Sequence, residues 1–138
     1  MIKKKSDRHI YWLDTGIFPA TVMFSCGFTY DEIMVELKKK KATAWIEGIS
    51  KDKELIDNGK YFSLSRNLEN TKNDISLFYI ILKPRFTFTD FEMCILAHEI
   101  LHTCQFLLPA ILNRDREVEA EAYLHTYLME NILKILIK

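Results

Sequence analysis

Thr89-Asp90-Phe91-Glu92-Met93-Cys94-Ile95-Leu96-Ala97-His98-Glu99-Ile100-Leu101-His102-Thr103-Cys104-Gln105-Phe106-Leu107-Leu108-Pro109 decides how the rest of the chain is read. Thr89 supplies a helix N-cap, and Glu92 three residues on closes a capping box. Apolar residues then run through Leu108 until Pro109 stops the helix. Within this predicted helix His98 and His102 are four residues apart, a spacing that stacks two side chains on one face. Two imidazoles so placed can reach one zinc ion at about 2.0–2.1 Å. Glu99 follows the first histidine, where a carboxylate can take a proton from activated water and pass it to a leaving amine. The bland alternative is a hydrogen-bonded histidine pair on a polar helix face.

A zinc site that keeps a position open for water needs a third protein ligand. Downstream, Arg116-Glu117-Val118-Glu119-Ala120-Glu121-Ala122-Tyr123 opens a second predicted helix, starting near Asp115 after a short loop past Asn113 and Arg114. Glu117, Glu119 and Glu121 are the candidates. Glu117 and Glu121 share a helical face with His125, whereas Glu119 points elsewhere. Small Ala120 and Ala122 would let the two helices approach closely, so Glu121 ranks first, Glu117 second and Glu119 third.

Upstream, residues 9–14 and 17–25 are predicted strands, the second broken near its start by Pro19, with a turn at Asp14-Thr15-Gly16. Thr29 and Glu32 form a second capping box for a helix from Tyr30 to about Lys40, with Ile33, Met34 and Leu37 on one face. Lys38 to Lys41 complement the negative end of its dipole. Residues 44–49 read as a short strand and 52–60 as polar loop with the turn signal Asp57-Asn58-Gly59. Residues 61–65 alternate as a half-buried strand should, 67–74 read as loop, and Ile75 to Leu82 is a strong strand ended by Pro84. Phe86, Phe88 and Phe91 cluster at the entry to the long helix, where core packing is their plainest use. The fold class expected is α+β: one domain over 1–138, with a small mixed or antiparallel sheet, an N-terminal helix and two long C-terminal helices carrying the metal site.

Nineteen basic against nineteen acidic residues leave no net field to draw the chain to nucleic acid or to an anionic membrane. The lysine runs at 3–5 and 38–41 are local and read as solvated. Cys26, Cys94 and Cys104 are odd in number and unpaired in spacing, which argues for a reducing, cytoplasmic setting. No secretory leader and no membrane span is expected. Trp12 and Trp45 are assigned to packing. The apolar face Leu128, Met129, Ile132, Leu133, Leu136 is assigned to the core, with a monomer or weak dimer expected.

The string His98-Glu99-Ile100-Leu101-His102, followed by 18 residues and Glu121, resembles the gluzincin metallopeptidases, the thermolysin-like enzymes in the broad sense. Glu119-Ala120-Glu121-Ala122-Tyr123 is similar to the second helix of ImmA/IrrE-type peptidases, and the combination resembles small phage-encoded proteins of gluzincin type. The resemblance covers residues 75–128. It implies a zincin-like fold, Zn2+, hydrolysis of a peptide or of a phage or host protein, and a place in the host cytoplasm or virion. It also implies His98, His102 and Glu121 as ligands, Glu99 as general base, and Ile75 to Leu82 as the sheet edge that pairs with extended substrate. Larger members stabilise the oxyanion with a Tyr or His from a separate C-terminal domain. Here that catalytic role is expected to be filled locally or not at all, with His125, Tyr123 and Tyr127 as the candidates; His125 could instead orient a metal ligand, and packing is the plainer use of Tyr123 and Tyr127.

Overall fold

A computed structural model describes residues 8–15, 21–68, 75–108 and 118–137. The elements in order are β1 (His9–Asp14), β2 (Thr21–Cys26), α1 (Tyr30–Lys39), α2 (Thr43–Ser50), α3 (Lys53–Asn58), β3 (Tyr61–Leu68), β4 (Ile75–Leu82), α4 (Asp90–Leu107) and α5 (Val118–Ile137). The chain is α+β, with four strands in the order β1-β2-β4-β3. β2 and β4 run parallel at the centre, and β1 and β3 lie antiparallel outside them.

The period-two alternation of the central strands builds two cores. Val22, Phe24, Cys26, Phe78, Ile80 and Leu82 point to α4 and α5. Met23, Leu77, Tyr79 and Ile81 point the other way, to Ile33 and Leu37 of α1, Ile49 of α2 and Ile56 of α3. A strand that is apolar on both faces needs a layer of helices on each. β4 is therefore interior, paired with β2 on one side and β3 on the other. This corrects the expectation that Ile75–Leu82 forms the sheet edge. Among the described residues that edge belongs to β3, whose Ser63, Ser65 and Arg66 break the apolar run.

Two further expectations are corrected. Residues 44–49 are helix, not strand: α2 sets partly buried Trp45 and Ile46 and fully buried Ile49 on one helical face. Residues 52–60 hold the short helix α3, with Gly59 as its C-cap and Ile56 as its one buried side chain. β3 also runs past the predicted strand end to Leu68. Both capping boxes are present, at Thr29/Glu32 and Thr89/Glu92. α1 closes with Lys41 at φ 56°, where the Ala42 N–H reaches the Leu37 carbonyl at 3.0 Å and the Lys41 N–H the Lys38 carbonyl at 3.1 Å. The Gly16 turn, Pro19, residues 69–74 of the expected loop, and Asn113 to Asp115 lie outside the described residues. No described helix is long and apolar enough to cross a membrane.

One polar cluster sits inside the α1–α3 layer. Asp52, 1% exposed, accepts from the Nε and Nη2 of Arg66 on β3 and from the Tyr79 hydroxyl on β4. Burial, then the Asp52 carboxylate, pushes the Tyr79 hydroxyl far above its ordinary pKa, so Tyr79 stays a donor. Removing Asp52 leaves the buried Tyr79 hydroxyl and the part-exposed Arg66 guanidinium without their acceptor. Asp52→Ala should therefore cost about 3 kcal/mol in chemical denaturation, against about 1 kcal/mol for loss of the exposed cap in Thr29→Ala. Equal losses would show that the cluster adds nothing beyond a surface cap.

Candidate metal centre

α4 lies across β3 and β4, with α5 packed against α4 and β1. Counting about 100° per residue around α4 from His98, His102 lies about 40° round on the outward side and Phe91 close by. Glu99 is about 100° round. The buried Leu96, Ile100, Thr103 and Leu107 fall between about 140° and 200°, facing the sheet, and Ala97 and Cys104 near 250°. Ala97 and Cys104 mark the side of α5: His125 of α5 meets Ala97, and the Glu121 charge is felt at Cys104. Glu99 thus stands on the opposite flank, toward edge strand β3.

The two imidazoles converge. The Nε2 atoms of His98 and His102 are 3.0 Å apart, with ring centroids at 4.5 Å and planes at 85°. The His102 ring stacks on Phe106 at 6.0 Å and 14°, which fixes its plane. Two nitrogens this close share either a proton or a cation, because two lone pairs facing each other repel. Two zinc bonds at a tetrahedral angle would set them about 3.3 Å apart. The pair fits a metal ion with a shift of a few tenths of an ångström. His98 is exposed and His102 half-buried, so the space they share opens to solvent, whereas Glu99 is only 8% exposed.

The third ligand is not assembled around that point: among the described residues no three His, Cys, Asp or Glu side chains are grouped to hold an ion. Glu121 is half-buried at the α4–α5 interface. Glu117 and the side chain of Glu119 lie outside the described residues. His125 is half-buried, with Nε2 3.0 Å from the Ala97 carbonyl oxygen. The Tyr127 hydroxyl donates to the Asp14 carbonyl at 2.9 Å, tying α5 to β1, and Tyr123 is 73% exposed.

Sequence reasoning found the strand β3 but not its place at the sheet edge beside the site. Tyr61 opens β3 and meets Phe91 of α4 edge to face at 6.5 Å, and Ser63 is buried on the same face of the strand with no hydrogen-bond partner among the described residues. The available signal was the contrast between the mixed run of β3 and the continuous apolar run of β4, which marks the latter as interior.

Burial, with the Glu121 charge second, pushes the Cys104 thiol up from 9.0 to about 12. Cys104 and Cys26 are buried and Cys94 is exposed. A thiol-reactive dye at pH 8 should therefore label Cys94 quickly and the other two only on unfolding. Because the folded pKa of Cys104 is the higher one, its contribution to stability is whole below about 9 and falls as pH rises toward about 12. Rapid labelling of all three thiols in folded protein would contradict this packing. No protein-family model, no curated protein and no solved structure matches the chain.

Proposed function

We propose that the chain is a zinc-dependent peptidase of zincin type. The observation that carries this reading is the convergence of the His98 and His102 Nε2 atoms, 3.0 Å apart on the open side of α4, with Glu99 on the flank toward the sheet edge. Zinc held there would polarise a peptide carbonyl and acidify a water molecule. His98 and His102 would hold it, with Glu121 of α5 as the third ligand that the sequence spacing suggests. Glu99 takes a proton from the attacking water on its carboxylate and returns it to the nitrogen of the leaving amine. Its burial keeps bulk water from competing for that proton. The substrate lies extended along the outer edge of β3, where main-chain hydrogen bonds supply affinity. This places it on a different strand from the one the resemblance suggested. β3 opens with Tyr61 beside Phe91, at the head of the helix that carries the histidines.

A second reading has its own support. No described group of three ligand side chains closes around the histidine pair. A binding or structural protein that keeps this fold without turnover would need no catalytic centre, and a zinc in it would be closed by further protein ligands.

Elemental analysis of reconstituted protein should find close to one zinc per chain, and His98→Ala or His102→Ala should remove most of it. Glu121→Ala should weaken binding more than Glu117→Ala or Glu119→Ala. Zinc should raise the melting temperature, since only the folded chain presents the pair. Glu99→Gln should keep zinc and fold while losing about 10²–10⁴ in peptide hydrolysis, because an amide cannot accept the proton. A chain that takes up no zinc ends the proposal. Zinc uptake with no cleavage of a broad peptide library by the parent selects the second reading.

A further inference from the structure

We propose that the outer edge of β1 is a self-pairing surface: it lies antiparallel against β1 of a second copy, with Tyr11 on the two-fold axis, and joins two four-stranded sheets into one. The pairing uses the opposite rim of the sheet from β3 and stands whether or not the chain binds metal.

One hydrogen bond fixes which way the main-chain groups of β1 turn. The Gly27 N–H donates to the Leu82 carbonyl of β4 at 2.9 Å. Main-chain groups alternate between the two sides of a strand, so Met23 and Ser25 also turn to β4, and Val22, Phe24 and Cys26 turn to β1. Those three stand opposite Leu13, Tyr11 and His9. Ile10 and Trp12 therefore turn their N–H and C=O groups outward, and because β1 ends the strand order, no described strand meets them. They open on a cavity of about 580 Å³ lined by residues 8–12 with Phe28 and Lys40. A further strand would lie there at about 4.8 Å.

An exposed edge is ordinarily guarded by charge, proline or a bulge. Residues 9–13 carry no Lys, Arg, Asp, Glu or Pro, and their register with β2 runs without a bulge. The charges stand at the two ends, as Arg8 and Asp14. Antiparallel pairing about Tyr11 sets Ile10 opposite Trp12 of the second copy, so outward groups meet outward groups. It also sets Arg8 opposite Asp14 of the second copy, twice over, with both side chains on the α1 face of the sheet. Arg8 already holds the Gly27 carbonyl and Glu32 there, and a guanidinium has donors to spare. Centring on Ile10 or Trp12 keeps the hydrogen-bond phase but parts Arg8 from Asp14, so the charges select Tyr11 and select a second copy. On the other face Tyr11 is 45% exposed, and Tyr127, whose hydroxyl reaches the Asp14 carbonyl, is 41% exposed. Pairing would cover this aromatic surface. Equal numbers of acidic and basic residues leave no net repulsion between copies.

The test uses the full chain without metal. In sedimentation equilibrium the mass should rise with concentration to that of two chains. Arg8→Glu and Asp14→Lys should each raise the dissociation constant about tenfold or more, because each sets like charges face to face in both contacts. An equimolar mixture of the two variants should recover the loss, since every facing pair is then opposite in sign. In a Cys94→Ser background, which removes the exposed thiol, Tyr11→Cys should form a symmetric disulfide under mild oxidation. Facing Cα atoms in such a non-hydrogen-bonded pair are about 4.5 Å apart. His9→Cys, which faces Leu13 of the second copy, should not cross-link. Amide exchange at Ile10 and Trp12 should slow as chain concentration rises. A single-chain mass at every concentration overturns the proposal. Protected Ile10 and Trp12 amides in that monomer would give the edge to another segment of the same chain, such as residues 1–7, and rapid exchange would leave it open to an extended segment of another protein. A dimer indifferent to the charge reversals and not cross-linked through Tyr11→Cys uses a different face and equally overturns it.

Discussion

The parallel pair β2–β4 is apolar on both faces, and it forces a helical layer on each side of the sheet. On one side α1, α2 and α3 cover Met23, Leu77, Tyr79 and Ile81. On the other α4 and α5 cover Val22, Phe24, Phe78 and Ile80. The long helix with the two histidines is held in place by that second layer. Its inward residues are sequestered by the sheet and its next flank by α5, which leaves His98 and His102 on the open side and Glu99 on the border of the core. The separation between an exposed histidine pair and a buried carboxylate thus follows from how an 18-residue helix seats on a sheet.

The division of labour between the last two helices follows from the same packing. Both converging nitrogens come from one helix, so their separation depends on local geometry and on the stacking of His102 upon Phe106. A third ligand supplied by α5 would have to cross an interface that includes Leu124, Leu128 and Ile132, and its position would depend on how that interface is registered.

Features of the sequence that depend on near neighbours were legible. The capping boxes at Thr29/Glu32 and Thr89/Glu92, the strand Ile75–Leu82, and the i, i+4 histidine pair each need only a few consecutive residues. Residues 44–49 misled because a short segment with Trp45, Ile46 and Ile49 fits a strand as well as one face of a helix, and contact with α1 decided between them. The edge position of β3 is a property of the assembled sheet. The Asp52–Arg66–Tyr79 cluster joins residues 14 and 27 positions apart with no local pattern to announce it. For the site, the sequence marked His98, Glu99 and His102. The engagement of His125 with a main-chain oxygen was not legible, since a carbonyl acceptor leaves no trace in residue type.

Arg66 has a consequence beyond the stability of its own layer. It lies on the edge strand but reaches backward, away from α4, to a carboxylate lodged at the junction of α2 and α3. The rim of the sheet is thereby anchored from behind, and the anchor takes no part in the ladder of the outer edge. A rim held in this way behaves as a rigid template. An extended segment that paired with this rim would bear most of the ordering entropy itself, so its own stiffness would count toward affinity beside its side chains.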